Sequence, residues 1–309
     1  MYIINSNLSS YLYYKKNINV KKCTNQNLRS SVMEFTVIEW NINHRLGHSK
    51  SNMPMWVAYV ISKEEADIVI LTECSYRVKN WPIVKNIAFN RDKYTIFESN
   101  NDQGGNNDVV IAVNKKKINV LYTKSYFPCN HNTPDHLEVK CKCKETGKEF
   151  VVVGMRIHAL GITDKEKEAE FQLVLDGLTG EENVIIGGDF NNYRRGYNAS
   201  NHWHMTKIDE IINGKFVRKT PERSSIYKDV DTNDEFCFAE DHFFIKGIHV
   251  DTFKLYPYDR SFTKEDTIIY QCGNDFQKYI GKDQNGNNIY NNVPDPYPDH
   301  AILKAKFEL

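Results

Sequence analysis

The chain has 309 residues, 40% of them hydrophobic and 12% aromatic, a composition typical of one large globular domain or two small ones. Lys plus Arg and Asp plus Glu each number 40, so a net charge of zero gives no sign of a nucleic-acid binder, although a local basic rim would suffice for one. We expect a cytoplasmic protein without a membrane span, because apolar runs are short, a signal-peptide core is lacking and the seven cysteines are irregularly spaced.

Residues 1–32 are rich in Asn, Lys, Ser and Tyr and have no clear period, which predicts a flexible extension ahead of a single domain over residues 33–309. From residue 34 onward, apolar patterns predict strands at residues 35–42, 66–72, 109–113, 118–122, 137–143, 150–157, 184–186, 243–245 and 301–307. Helical spacing predicts helices at residues 54–63, 163–178 and near 205–212.

The helix at 163–178 is the clearest of these, because Thr163 and Glu166 form a capping box at its start. Residues 271–297 are polar and rich in turn residues, which predicts a long loop. Strands mixed with a few helices predict an α/β fold. Two mixed sheets packed face to face, a two-layer β-sandwich flanked by helices, would fit this length.

The segment from Asn183 to Asn191 carries the clearest chemical signal. An apolar strand ends there in two glycines, which let the backbone turn tightly. Asp189 and Asn191 follow two residues apart, so both side chains can point the same way. A carboxylate beside an amide can hold a hydrated divalent metal or a phosphate oxygen, although such a pair by itself usually only makes a turn.

Other strands carry polar groups at the points where they leave or enter the sheets. Because the exit of one strand meets the entry of its antiparallel neighbour, these groups can line a single edge. A strand-end acid or a lone histidine has an ordinary structural explanation when taken singly, and only the whole set favours a site. The set consists of Asn41, Asn43, Glu73, His158, Asp189, Asn191, Asp241, His242, Asp299 and His300.

Six short motifs carry a family resemblance: WNIN at 40–43, LTE at 71–73, IH at 157–158, GGDFN at 187–191, EDHF at 240–243 and PDH at 298–300. In this order they resemble the endonuclease/exonuclease/phosphatase superfamily, which includes deoxyribonuclease I, abasic-site endonucleases, sphingomyelinases and inositol-polyphosphate 5-phosphatases. The resemblance covers residues 34–309 and is strongest to bacterial members of unassigned substrate. It implies a deoxyribonuclease-I-like four-layer fold and Mg²⁺-dependent cleavage of a phosphate ester, with Mn²⁺ as a substitute.

The resemblance also implies roles for individual residues. Glu73 would be the main metal ligand, assisted by Asn41 and Asp299. His300 would activate the attacking water or hold a phosphate oxygen, and Asp241 would orient its ring.

The remaining catalytic roles fall on the loop after the 184–186 strand and on a second histidine. Asp189 would position the water, and Asn191 the phosphoryl group. His158 would face the non-bridging oxygens or the leaving group. It needs an acidic partner, for which we select Asp108 at the head of a strand.

Four further residues are candidates for substrate contact. Arg156 shares a strand face with His158 and could clamp a phosphate. Tyr193 and Arg194 follow the GGDFN motif, although Arg194 could be only a solvated loop residue. Asn43 stands where many family members have Asp or Gly, and its lack of charge puts a second metal in doubt. Many members also have Ser where Pro298 stands, so hydrogen bonding must differ there.

We therefore predict a Mg²⁺-dependent phosphoesterase that hydrolyses a phosphodiester by metal-assisted attack of water, with DNA or RNA as the preferred substrate. The alternative is a phosphomonoesterase or lipid phosphodiesterase acting on an inositol phosphate or a sphingomyelin-like head group, which the neutral net charge mildly favours. A third possibility is an inactive scaffold, which predicts a decayed site. No obligate protein partner is indicated.

Overall fold

A computed structural model describes residues 32–44, 53, 55–74, 79–99, 109–125, 135–159, 161–193, 202–221, 239–256, 275–286, 288–294 and 300–309. Residues 1–31 lie outside this part, so the predicted extension and its boundary at residue 32 stay a prediction.

Fourteen strands and four helices are present within the described residues. The strands are, in chain order, β1 (Glu34–His44), β2 (Ile68–Cys74), β3 (Tyr94–Glu98), β4 (Val110–Asn114), β5 (Ile118–Ser125), β6 (Asp135–Cys143), β7 (Glu149–Arg156), β8 (Val184–Asp189), β9 (Val217–Lys219), β10 (Asp241–Lys246), β11 (His249–Tyr256), β12 (Asp275–Lys282), β13 (Asn288–Pro294) and β14 (Ile302–Glu308). The helices are α1 (Met55–Glu64), α2 (Trp81–Ala88), α3 (Asp164–Gly177) and α4 (Met205–Ile212).

Two six-stranded mixed sheets form the centre of the described structure. The first sheet has the order β11-β14-β1-β2-β4-β3, and the second has the order β5-β6-β7-β8-β10-β9. Only the pairs β1–β2 and β7–β8 are parallel among the strand pairs of these two sheets. The predicted sandwich of mixed sheets is confirmed.

Three apolar clusters hold the layers together. The cluster between the sheets includes Val37, Ile70, Val152, Ile185, Phe243 and Phe307. A second cluster packs α1 and α2 on the outer face of the first sheet, and a third packs α3 and α4 on the outer face of the second. The central strands are therefore covered on both faces, which explains why they read as nearly continuous apolar runs.

The sheets approach each other closely near the carboxyl ends of β7 and β8, and glycine makes this possible. A Cβ atom on Gly187 would lie 2.8 Å from Phe243 Cε1 and 2.9 Å from Ile70 Cδ1. A Cβ on Gly154 would lie 2.8 Å from Ile70 Cγ2. All three distances are shorter than the contacts that a Cβ atom makes in proteins, so these two positions require glycine for packing rather than for a turn.

Helix α3 begins as its sequence predicts. The Thr163 side chain accepts a hydrogen bond from the Glu166 amide at 3.3 Å, and the Glu166 carboxylate accepts one from the Thr163 amide at 2.6 Å. This reciprocal pair satisfies amides that have no partner within the helix. None of the described helices combines the length and the apolar character needed to cross a bilayer.

The prediction of one long loop over residues 271–297 is wrong. β12 and β13 lie within it and pair with each other as a two-stranded antiparallel sheet. The polar sequence hid these strands because a small separate sheet lacks the apolar face that strand prediction depends on. Four further elements carry too weak a pattern to be predicted from the sequence, because they are short or lie at sheet edges: α2, β3, β9 and β11.

Candidate active site

The inner face of the second sheet changes from apolar to ionisable at its last row. Asp135, Arg156, Asp189 and Asp241 lie opposite one another on β6, β7, β8 and β10, as neighbours in register. We call these four residues the ionisable row. All four side chains are buried. Because buried charges are costly unless they are paired, such a row points to a site rather than to a structural core.

The first sheet contributes polar side chains that reach this row. Asn41 on β1 donates a hydrogen bond from Nδ2 to Asp189 Oδ2 at 2.8 Å. Glu73, near the end of β2, accepts from Arg156 Nε at 2.6 Å through Oε1. Glu73 has a φ of 48°, a left-handed conformation that costs a non-glycine residue on the order of 1–3 kcal/mol. Such strain is typical of functional positions.

His300 and Asp241 are paired, as the sequence predicts. The ring Nδ1 lies 2.8 Å from Asp241 Oδ2, and the His300 carbonyl accepts a hydrogen bond from Trp40 Nε1 at 2.9 Å. A carboxylate at Nδ1 holds the proton on that nitrogen, so Nε2 is left as the basic nitrogen.

The turn after β8 fixes Asp189 and Asn191 against each other. The Asn191 amide donates to Asp189 Oδ1 at 2.8 Å, while its side-chain Nδ2 donates to Asp189 Oδ2 at 2.9 Å and to the Ile157 carbonyl at 2.7 Å. Asn191 has a φ of 43°, which asparagine tolerates better than most residues. Burial raises the pKa of Asp189 to about 6, the nearby Asp241 adds to this effect, and His300 and Arg156 oppose it.

His158 pairs with an acid that the sequence analysis did not select. Glu170 on α3 is completely buried, contacts His158 Nδ1 with Oε1 and accepts from the His158 amide at 3.1 Å with Oε2. The hydrogen bond to Glu170 raises the pKa of His158, while burial acts in the opposite direction. Glu170 stands immediately before Phe171, which packs with Val174 and Leu175 on the buried apolar face of α3. A charged residue on that face was the signal that could have identified Glu170.

Three other buried charged residues were also missed, and Asp135 of the ionisable row is one of them. Lys167, one turn before Phe171 on the same helix face, donates to the Asn191 carbonyl at 3.2 Å, and burial lowers its pKa. Glu39 on β1 lies on the inner face, where Oε1 accepts from Thr72 Oγ1 at 3.4 Å. Burial raises the pKa of Glu39, and Asp241 and Asp189 raise it further.

A family model described as the endonuclease/exonuclease/phosphatase family matches residues 38–261. The chain belongs to this family. Its members are phosphoric ester hydrolases. None of the curated proteins searched is similar enough in sequence to match the chain.

Solved structures of the endonuclease/exonuclease/phosphatase family share the fold at low identity. One from Bacteroides vulgatus is 15% identical with a TM-score of 0.59, over 90% of this chain and 99% of that one. TDP2 from D. rerio, in complex with a single-strand DNA product, is 13% identical with a TM-score of 0.56, over 89% and 98%. A mannosyl-6-phosphatase from Bacteroides thetaiotaomicron is 14% identical with a TM-score of 0.56, over 88% and 99%.

Some of the predicted site residues lie outside the described part of the chain, and for others the predicted role stays a prediction. Asp299, Arg194 and Asp108 lie outside the described residues, and of Asn43 only the backbone within β1 is described. Tyr193 is 40% exposed. The phosphate contact predicted for Arg156 stays a prediction, while the contacts that the structure gives it are with carboxylates.

Enzymes of this family generally use divalent metals, and the chemistry of the site fits such an ion. Carboxylate and amide oxygens, as in Glu73 and Asn41, are ligands that Mg²⁺ prefers. Two buried carboxyl oxygens beside them, Glu39 Oε2 and Asp135 Oδ2, have no hydrogen-bond partner among the described residues. Among the described residues, however, no three His, Cys, Asp or Glu side chains lie close enough together to hold a metal ion by themselves. Mg²⁺ needs only a few protein ligands, because it retains several of its water ligands.

Replacing Glu170 with Gln should lower the pKa of His158, because the amide cannot stabilise an imidazolium as a carboxylate does. A group whose pKa is raised on folding stabilises the protein fully below its unfolded-state value of about 6.5, and this contribution is lost as the pH rises through the folded-state value. The stability advantage of wild type over Glu170→Gln should therefore shrink with rising pH. NMR titration of the His158 ring and urea unfolding at several pH values would measure both effects.

Glu168→Gln on the same helix is the matched control, since its 3.6 Å ion pair with Lys207 lies away from His158. This control should leave the His158 titration unchanged. An identical His158 pKa in wild type and Glu170→Gln would contradict the assignment of Glu170 as its partner.

Proposed function

We propose that the protein is a Mg²⁺-dependent phosphoesterase that hydrolyses a nucleic-acid phosphodiester by metal-assisted attack of water. The observation that carries this proposal is the convergence, at one edge of the sandwich, of the Asp241–His300 pair with Asp189 and with Glu73 from the opposite sheet. A base, an orienting acid and an oxygen-rich ligand set are the groups that such hydrolysis needs.

The metal ligands in this proposal are Glu73 and Asn41, completed by Asp299. A bound Mg²⁺ would supply Lewis-acid stabilisation of the charge on the phosphate. Glu73 and Asn41 are buried and tied to neighbours on the second sheet, so their oxygens are held in place before a substrate arrives.

His300 accepts the proton of the attacking water in this proposal. Asp241 is completely buried and contacts the ring through Nδ1, so it fixes the tautomer and stabilises the imidazolium that forms. Asp189 positions the water and Asn191 the phosphoryl group. Both carboxyl oxygens of Asp189 accept hydrogen bonds from Asn191, which holds the carboxyl group in one orientation for this role.

The His158–Glu170 pair acts on the phosphate from another direction. Because Glu170 favours the protonated ring, His158 can donate a hydrogen bond to a non-bridging oxygen or to the leaving group. Attacking and leaving oxygens lie on opposite sides of phosphorus in an in-line displacement, which gives two histidines separate tasks.

An exposed aromatic group beside the site supports a nucleic-acid substrate. The Tyr193 ring lies edge-on to His202, with ring centroids 5.2 Å apart, and His202 Nδ1 is 2.9 Å from Asp164. Aromatic faces next to a phosphate site suit stacking on a base, and Arg194 and Asn43 are proposed to contact the flanking backbone. The solved relative that holds a single-strand DNA product is in line with this proposal.

The second candidate is a phosphomonoesterase or lipid phosphodiesterase with the same site, acting on a phosphorylated sugar, an inositol phosphate or a sphingomyelin-like head group. The zero net charge favours a small substrate, and one solved structure of similar fold is a mannosyl-6-phosphatase. An inactive scaffold is disfavoured, because the described members of the predicted site are ionisable or polar and are held in place by hydrogen bonds.

A substrate panel separates these candidates. Purified protein with Mg²⁺ or Mn²⁺ is expected to release product from single- or double-stranded DNA or RNA faster than from sugar phosphates, inositol phosphates or phospholipids, and EDTA should abolish the reaction. Cleavage of inositol or sugar phosphates alone would end the nuclease proposal. Hydrolysis of no phosphate ester, with either metal, would favour the scaffold.

A further inference from the structure

Arg156 places a permanent positive charge at the carboxylate that is proposed to hold the metal. Its Nε lies 2.6 Å from Glu73 Oε1 and 3.7 Å from Asp189 Oδ2, and its Nη1 lies 4.0 Å from Asp135 Oδ2. The residue is only 3% exposed. A buried guanidinium with three acidic neighbours is therefore a resident counterion of this site.

The register of the second sheet makes this arrangement obligatory. Arg156 is paired directly with Asp135 on one side and with Asp189 on the other, and it is the one basic member of the ionisable row. Glu73 reaches it from the first sheet. Moving the guanidinium away would leave three buried carboxyl groups close together. In the absence of other cations, the native fold therefore favours the ion pair of Arg156 with Glu73.

The charge on Arg156 persists when a metal arrives. A guanidinium does not deprotonate in proteins, in contrast to a lysine that loses its proton beside a metal. Any divalent cation at Glu73 must therefore share that carboxylate with a fixed charge of the same sign.

We propose that Arg156 competes with the divalent metal for Glu73, and so keeps the acidic site assembled without metal while it weakens metal binding. This inference rests on the proposed metal-dependent function. It assigns Arg156 to the control of metal affinity, whereas the sequence alone indicated a phosphate clamp. Arg156 is thus a positioning residue that acts through Glu73.

The test compares wild type with Arg156→Gln, which removes the charge but retains a polar group, and with Arg156→Lys, which retains the charge but loses the planar fork. We expect Arg156→Gln to bind Mn²⁺ about tenfold more tightly or better by calorimetry, since like-charge repulsion is removed. Without metal, its urea midpoint should be lower than that of wild type. Its stabilisation by added Mg²⁺ in thermal unfolding should be larger. Arg156→Lys should resemble wild type in Mn²⁺ affinity.

Arg218→Gln is the control for removal of an arginine–carboxylate pair elsewhere. Arg218 Nη2 lies 2.6 Å from Asp209 on the outer side of the second sheet, and its loss should leave Mn²⁺ affinity unchanged. Should Arg156→Gln lose its folded structure without metal, refolding in Mn²⁺ and the metal concentration at half-recovery replace the calorimetric titration. A Mn²⁺ dissociation constant weaker than that of wild type, after correction for the part of the binding free energy that drives folding, would overturn the inference.

The outcomes separate this inference from the proposed function. If Arg156→Gln binds Mn²⁺ as wild type does but is inhibited less strongly by inorganic phosphate, the inference is overturned. Arg156 is then a phosphate clamp, and the proposed function stands. Weaker Mn²⁺ binding in Arg156→Gln shows that Arg156 holds Glu73 for the metal and also overturns it. An absence of Mn²⁺ binding by wild type and both Arg156 variants overturns the inference and the proposed function together.

Discussion

Glu73→Gln is expected to lower kcat on the best substrate by at least about 10³-fold, which corresponds to about 4 kcal/mol of transition-state stabilisation. The amide keeps the shape of the side chain but removes the charge that attracts a hard cation. Assays of product formation at saturating substrate, over a range of Mg²⁺ concentrations, would measure the reduction in kcat. Calorimetric titration with Mn²⁺ should show a parallel loss of metal binding.

The same substitution leaves Arg156 without its nearest carboxylate, so stability should also fall, by about 1–3 kcal/mol. Glu181→Gln is the matched control. Glu181 forms an ion pair with Lys140 at the end of the second sheet opposite the site. The Glu181→Gln protein should be less stable than wild type but should keep the wild-type kcat. A wild-type rate in folded Glu73→Gln would refute the metal assignment.

The Asp241–His300 pair is expected to show the second largest effect. His300→Gln should reduce kcat by about 10²–10⁴-fold, the range typical of a lost general base. Asp241→Asn should give a reduction of similar size, because an amide at Nδ1 no longer selects the tautomer that leaves Nε2 basic. Since the two residues act as one unit, the double variant should be little worse than either single one.

Single-turnover measurement of the cleavage step over a range of pH tests this pair, because only the chemical step should slow. His249→Gln serves as the control, since His249 is exposed at the far end of β11 and pairs in register with Glu308. Fully additive losses in the double variant would argue against an acid–base pair and for two independent structural roles.

The site exists because one row of the sandwich departs from the apolar pattern. Away from the site, the inner face of the second sheet belongs to a close-packed apolar core that includes Leu137, Val152, Ile185 and Phe243. At the edge the same face carries Asp135, Arg156, Asp189 and Asp241, which are buried and ionisable. Local rules of core composition are broken there in four adjacent strands, which is typical of a functional site.

The sequence was sufficient for much of this fold and site. Apolar runs revealed most central strands, since strands covered on both faces must be apolar almost throughout. The capping box placed the start of α3. Side chains at strand ends were expected to line one edge, and Asp189 and Asp241 do so because β8 and β10 are antiparallel neighbours. Asn41 and His300 reach them from the first sheet, through the packing of one sheet on the other.

Contacts between distant segments could be decided only by the tertiary structure. The sequence marks Glu170 as a charged residue on a buried helix face, but it does not show that Glu170 pairs with His158. It also does not show that Arg156 pairs with Glu73, because these two pairs form through packing of α3 on the second sheet and of the two sheets on each other, respectively. The burial of Glu39 has the same origin. Periodicity tells which way a side chain points along its own element, whereas the charge it meets depends on how separate elements are stacked.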